Sequence, residues 1–175
     1  MTIDELISDK TIKPKEKTDT ISKWILDQSL PVDELIRFAE KQKDAIKATC
    51  VEAMEYATKV SPGIAGYEML VFASQNLAEK SPRIKWESAR VIGNIAHLFP
   101  DNLAPAVIHL LENTKHEGTV VRWSAALALG EILKLKTKNH ADLVKAIETA
   151  HEKEVKNSIK KIYSEAVKKY KKSLT

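Results

Sequence analysis

Apolar residues recur every three or four positions along almost the whole chain, a spacing that gathers them on one face of a helix. Ile21, Trp24 and Ile25 form such a stripe after Thr18-Asp19-Thr20, which reads as a capping region. The Lys10–Lys17 stretch before it, with Pro14 inside, reads as a loop. Pro31 opens a helix that carries Leu35, Ile36, Phe38 and Ala39. From there the spacing predicts helix pairs: 31–42 with 44–60, 64–79 with 82–98, 103–115 with 119–136, and 140–151 with 155–171. Ser81-Pro82 is a start signal with proline at the first helical position, and Asn139 with Asp142 marks another start. Gly63 and Gly118 fall between helices, where glycine most easily supplies a left-handed stop.

Within this pattern one segment is written twice. Residues 84–96 (IKWESARVIGNIA) lie over residues 121–133 (VRWSAALALGEIL) at an offset of 37 residues. A helical pattern recurring at that period predicts a stacked-helix solenoid. Ile46, Ile84, Val121 and Val155 then fall in register as the second helices begin. The buried faces read Ile46/Cys50/Ala53/Ala57, Ile84/Ser88/Val91/Ile95, Val121/Ala125/Ala128/Ile132 and Val155/Ile159/Ile162/Ala166. Small residues in the middle of each face allow helices to approach closely. The outer two units match only in pattern, as terminal repeats that cap a stack should.

The run Val121–Gly130, with Ile84–Gly93 as a looser copy, resembles the HEAT-repeat family, in its shorter HEAT-like (PBS-lyase-type) variety. The resemblance covers roughly residues 31–170. It implies an all-α fold, a right-handed α-α superhelix of about four helix pairs plus N-terminal helices, with the second helices lining the concave side. Residues 1–30 would be a helical extension packing on the first repeat. Residues 31–175 would be the repeat domain, closed by a lysine-rich capping helix. Such repeats occur in scaffolds, transport factors, bilin-lyase-associated proteins and some DNA glycosylases. In the family, the basic residue that recurs at Lys47, Lys85 and Arg122 commonly pairs with an acid of a neighbouring repeat, which implies Glu79 and Glu117 as partners.

A helical wheel of each second helix separates the stack from what lies opposite it. That outward face holds Ala48, Glu52, Glu55 and Lys59, then Trp86, Arg90, Gly93 and His97. The third and fourth helices add Trp123, Leu127, Gly130 and Lys134, and Asn157, Lys161, Ser164 and Lys168. Side by side these make a groove that is acidic at one end, aromatic in the middle and basic at the other. Trp86 and Trp123 sit at equivalent positions, read either as binding anchors or as indoles packed on the neighbouring repeat. Gly93 and Gly130 lie mid-helix, where glycine costs about 1 kcal/mol relative to alanine. Either close helix contact or an open groove floor explains them. Trp24, on an apolar stripe, reads as core.

Charge sharpens the picture only at one end. The chain carries a formal +4. Residues 151–175 hold eight lysines against Glu152, Glu154 and Glu165, so the rest is nearly neutral. The last helix keeps an apolar stripe under those lysines, which fits a solvated cap or a patch for nucleic acid or anionic lipid. No run of 18 apolar residues predicts a membrane span, and no basic-then-apolar leader opens the chain. The single cysteine, Cys50, reads as a core residue compatible with a reducing cytoplasm. The five histidines contain no i, i+3 or i, i+4 pair, and no P-loop, GxGxxG or HExxH motif occurs, so spacing supports neither metal, cofactor nor catalysis.

The expectation is a monomeric, cytoplasmic, non-enzymatic module that holds a partner protein segment in its groove through Trp86, Arg90, His97, Trp123, Leu127, Lys134, Lys161 and Lys168. The alternative is a nucleic-acid binder using Arg90, Lys134, Lys161 and Lys168. A weaker alternative, implied by the resemblance, is excision of alkylated DNA bases. For that chemistry the wheel leaves no carboxylate near the Trp pair: Glu87 and Glu131 point sideways, and Glu52 and Glu55 lie one repeat away.

Overall fold

The apolar stripes become ten α-helices among the described residues, 1–135 and 140–175, of the computed structural model. Helices α1 (Ile3–Ser8) and α2 (Pro14–Leu26) precede four pairs: α3 (Val32–Glu40) with α4 (Asp44–Val60), α5 (Tyr67–Asn76) with α6 (Pro82–Ile95), α7 (Ala104–Asn113) with α8 (Thr119–Leu133), and α9 (His140–Lys153) with α10 (Asn157–Ser173). No strand occurs among these residues. The chain is an all-α repeat solenoid, with a pair wherever the periodicity placed one.

Helix starts departed most from expectation. Helix α2 begins at Pro14, inside the stretch read as a loop. Proline at the first helical position forfeits no hydrogen bond, and the Glu16 carboxylate accepts from the Lys13 amide at 3.1 Å. Thr18 and Thr20 therefore lie within the helix, donating to the carbonyls of Pro14 and Glu16. Helix α1 is held by a reciprocal cap between Thr2 and Glu5. No described glycine is left-handed; Gly118, at φ −72°, caps the start of α8 instead. The left-handed residue is Gln28, φ 63°, where the chain leaves α2. The cap expected at Asn139 and the helix end at residue 136 lie outside the described residues.

Helices α2, α4, α6, α8 and α10 pack side by side as an inner layer, with α3, α5, α7 and α9 as an outer one. Of the predicted inward stripes of α4, α6 and α8, Cys50, Ala53, Ala57, Ile84, Ser88, Val91, Ile95, Val121, Ala125, Ala128 and Ile132 are buried, and Ile46 is partly buried against the core.

The fourth stripe is one turn out of register. Val155 is 78% exposed and precedes α10, while Ile159, Tyr163 and Val167 are buried and the predicted Ile162 and Ala166 are partly buried against the core. Residues four apart share a helix face, so the pattern alone cannot choose between Val155 and Ile159. The choice falls to Glu154, whose Oε1 accepts from the amides of Val155 and Lys156 and holds them in a loop. Ile159 thus takes the place of Ile84, and the outward positions of α10 become Lys161, Glu165, Lys168 and Lys172.

Polar staples cross the repeat boundaries at the position of Lys47, Lys85 and Arg122. Lys47 pairs with Glu79 at 2.6 Å, as expected. Lys85 instead reaches the Leu77 carbonyl and Asn113 Oδ1. Arg122 does not use the Glu117 carboxylate; it pairs with Glu154 at 2.9 Å and donates to the main-chain carbonyls of His116 and Glu117. Glu79, Asn113 and Glu154 each follow or end the outer helix of the next pair, whereas the carbonyls of Leu77, His116 and Glu117 lie in the loop within the same pair.

The stack ends on an exposed, lysine-rich face. The α6 positions that meet α8 include Ala89, Ile92, Gly93 and Ala96, all small or apolar. In the corrected register α10 carries Ser164, Val167, Lys168 and Lys171 there, beside a hollow of about 560 Å³ shared with α9.

Candidate functional site

Of the side chains that the wheel singled out, Trp86, Arg90, Trp123 and Leu127 are partly buried on α6 and α8. Trp123 leans on the hydrophobic core. The Trp86 indole N–H donates to Glu87 Oε1 at 2.8 Å. Trp24 packs against the core, as its stripe suggested.

Between these helices lies a pocket of about 550 Å³. Trp123, Leu127, Arg90 and His97 line it, with Gly93 and Ala128 among its small residues. A Cβ added at Gly93 would meet Ala128 Cα at 3.6 Å, and one at Gly130 would meet Ala166 Cβ at 3.5 Å. Both are ordinary contacts, so helix packing does not demand either glycine. Gly130 is buried under α10 and does not floor the groove; Gly93 does border the open pocket.

Around Arg90 the sequence reading is corrected. Glu55, one repeat away in sequence, reaches Arg90 across the α4–α6 boundary at 2.8 Å. Glu87, placed sideways on the wheel, accepts from Trp86 and lies 3.9 Å from Arg90. Carboxylates therefore do adjoin the aromatic face. Both are buried, and burial pushes both carboxyls up, against the pull of Arg90. The second oxygen of each, Oε2, is sealed from solvent with no hydrogen-bond donor.

Glu52 completes the acidic end, bound by Arg83 at 2.7 Å and by the Thr18 hydroxyl at 3.0 Å. Sequence reasoning missed Tyr56, whose phenol sits 3.5 Å from Glu52. Burial, then Glu52, Glu55, Glu87 and Asp19, raise its pKa. Its position one turn after Glu52 was the available signal. Ala48, expected in the open groove, is buried because α2 packs along α4.

The remaining expected residues spread along the same face. His97 is exposed just past α6. Lys134, just past α8, pairs with Glu131 at 2.5 Å. Lys161 lies 3.9 Å from Glu165 on exposed α10, and exposed Lys168 borders the terminal hollow. Asn157 and Ser164 leave the outward set with the shift in register. Among the described residues no group of three His, Cys, Asp or Glu side chains is placed to hold a metal ion, and no helix is long and apolar enough to cross a membrane.

No protein-family model matches the sequence, and no curated protein matches it. Solved structures do resemble the fold. One is a designed armadillo repeat protein in complex with the peptide (KR)4, with a TM-score of 0.68 and 14% identity over 96% of this chain and 79% of that one. Another designed armadillo repeat protein gives 0.66 and 14% over 95% and 79%. An engineered protein gives 0.54 and 15% over 98% of each chain. At such identities the likeness establishes a helical-repeat solenoid and nothing finer.

Proposed function

We propose that this chain is a HEAT-like binding module that holds an extended segment of a partner protein along the free face of α4, α6, α8 and α10. The observation that carries the reading is the pair of partly buried tryptophans, in register on adjacent helices, with an open pocket that Trp123 lines. Partly exposed indoles on a rigid helical layer offer apolar contact area at small ordering cost, which is why tryptophan dominates binding hot spots. The two-helix unit and the 37-residue offset support the HEAT-like assignment. A neighbour of the same fold holds a peptide, which supports a protein segment as the occupant. The buried thiol of Cys50 fits a reducing cytoplasm, and the module acts as a monomer without catalysis.

Of the four cations of the nucleic-acid alternative, Arg90 is engaged by Glu55 and Lys134 by Glu131, which leaves that reading Lys161 and Lys168 on the last helix. The carboxylates that base excision would need are likewise spent on internal partners, with their free oxygens closed to solvent.

The test is selection from a displayed library of random peptides. The wild-type protein should enrich binders that the variant Trp86→Ala/Trp123→Ala, with unchanged helical content, no longer retains. Truncating a hot-spot tryptophan costs about 2 kcal/mol or more, roughly thirtyfold in affinity. Full retention by the double variant, or no enrichment by the wild type, counts against the groove.

A further inference from the structure

Helices α4, α6 and α8 each have an inner helix on both sides, whereas α10 has only α8. On the flank of α10 away from α8, a hollow of about 560 Å³ opens between α9 and α10. Its surface is mainly apolar, with Tyr163 and Val167 among the lining residues. Lys168, Lys171 and Lys172 border it. Their i, i+3 and i, i+4 spacing puts all three on one face of a single helix.

Little opposes that charge. The hollow's one lining carboxylate is Glu148 of α9, which accepts from Lys171 at 2.8 Å. Both side chains of the pair are exposed, so exchanging it for another partner costs little. Lys168 and Lys172 form no ion pair among the described residues. Helix α10 as a whole carries six lysines against Glu165 alone. Solvation accounts for lysines on a terminal helix. It does not account for the apolar concavity among them, because lysine stems can lie over apolar surface, and these leave the hollow open.

We infer that this end of the stack receives an acidic segment of a partner protein, with an apolar side chain seated in the hollow and carboxylates meeting Lys168 and Lys172. The site stands apart from the groove, since neither Trp86 nor Trp123 lines it. Charge complementarity selects the acid: three lining side chains are ammonium groups and one is a carboxylate. A second copy stacked head to tail does not supply that acid, because residues 1–30 hold six acids against five lysines. A nucleic-acid strand shares the sign, but the Tyr163 ring, with the residue 1% exposed, offers bases no face to stack on. An anionic bilayer takes up apolar faces that protrude into it, and this one is recessed.

The experiment titrates the full chain against fluorescein-labelled peptides by anisotropy, at low and at physiological salt. One peptide sets leucines among glutamates, a second has serine for each leucine, and a third has lysine for each glutamate. The glutamate–leucine peptide should bind at least about tenfold tighter than the other two. Lys168→Glu/Lys172→Glu, altered only at exposed positions, should weaken it at least about tenfold with helical content unchanged. Lys156→Glu/Lys169→Glu makes the same charge change away from the hollow and should cost less than about threefold. Equal loss in both variants reduces the attraction to net charge and overturns the site. Equal binding of the serine peptide overturns the seated apolar side chain, and tighter binding of the lysine peptide overturns the charge class. Tighter binding of oligothymidine, or of phosphatidylcholine vesicles containing phosphatidylserine, makes the occupant a nucleic acid or a membrane. If the glutamate–leucine peptide does not bind, or is lost with Trp86→Ala/Trp123→Ala instead, the inference falls and the groove reading stands.

Discussion

Replacing Arg122 with methionine should loosen the last repeat from its neighbour. Arg122 Nε donates to Glu154 Oε2 at 2.9 Å and Nη2 to Oε1 at 3.3 Å, while Nη1 holds the carbonyls of His116 and Glu117, both at 2.9 Å. The Glu154 side chain is only 2% exposed. Removing one partner of a buried ion pair costs about 3–5 kcal/mol, because the other charge is left uncompensated. Here Glu154 keeps two amide donors at 2.9 Å, and methionine replaces part of the arginine stem. The expected loss is therefore about 2–3 kcal/mol, or about 5–10 °C in Tm for a chain of this size. Urea unfolding followed by circular dichroism measures it.

The pH dependence has a definite sign. Burial pushes the Glu154 carboxyl up, but Arg122 and the amides of Lys156 and Val155 outweigh it and hold the group below its usual 4.5. A depressed carboxylate contributes stability that is present above 4.5 and lost as pH falls through the folded value. The gap between wild type and Arg122→Met should narrow in acid. A loss below about 1 kcal/mol at neutral pH, within the range of an exposed pair, or a gap that ignores acid, refutes the staple.

Gly93→Ala should stabilise the fold by up to about 1 kcal/mol, since alanine is the better helix former and its methyl meets only ordinary contacts. The same methyl intrudes on the pocket and should weaken peptide binding; destabilisation in urea would mean that the α6–α8 packing needs glycine. For Glu87, burial raises the carboxyl against Arg90, so its charged form costs stability as pH rises from 4.5 through the folded value. Glu87→Gln keeps an acceptor for Trp86, and its advantage should be absent below 4.5 and grow toward alkaline pH in urea titrations. Equal destabilisation at every pH would contradict that. Cys50 is fully buried, with its thiol pushed up to about 12. Iodoacetamide should label it only in denaturant, and prompt labelling of the native protein would remove it from the core.

Repeat architecture was legible because it rests on periodicity, which survives without knowledge of contacts. The stripes of α4, α6 and α8 hold side by side, with Ile84 and Val121 buried at matching places. What failed was local chemistry that overrides periodicity. Glu154 capping its own loop displaced the last register by a turn, and Pro14 with Glu16 started α2 early. The wheel set Trp86 and Trp123 apart from Trp24, yet all three are partly buried, because a wheel has no information about the neighbouring helix that covers each indole. The approach of Glu55 to Arg90 was not legible either, because it depends on which turn of α4 faces which turn of α6. A single helix wheel has no information about its neighbour, so cross-repeat pairs emerge only when the stack is assembled.

The most direct test of the groove is the affinity of one library-selected peptide, read from tryptophan emission in a Trp24→Phe background that leaves only Trp86 and Trp123 to report. Binding should shift that emission, and Trp86→Ala or Trp123→Ala should each weaken affinity by roughly thirtyfold or more while the helical signal is unchanged. An emission that does not move on saturation, with affinity intact in both variants, would place the binding surface elsewhere on the protein.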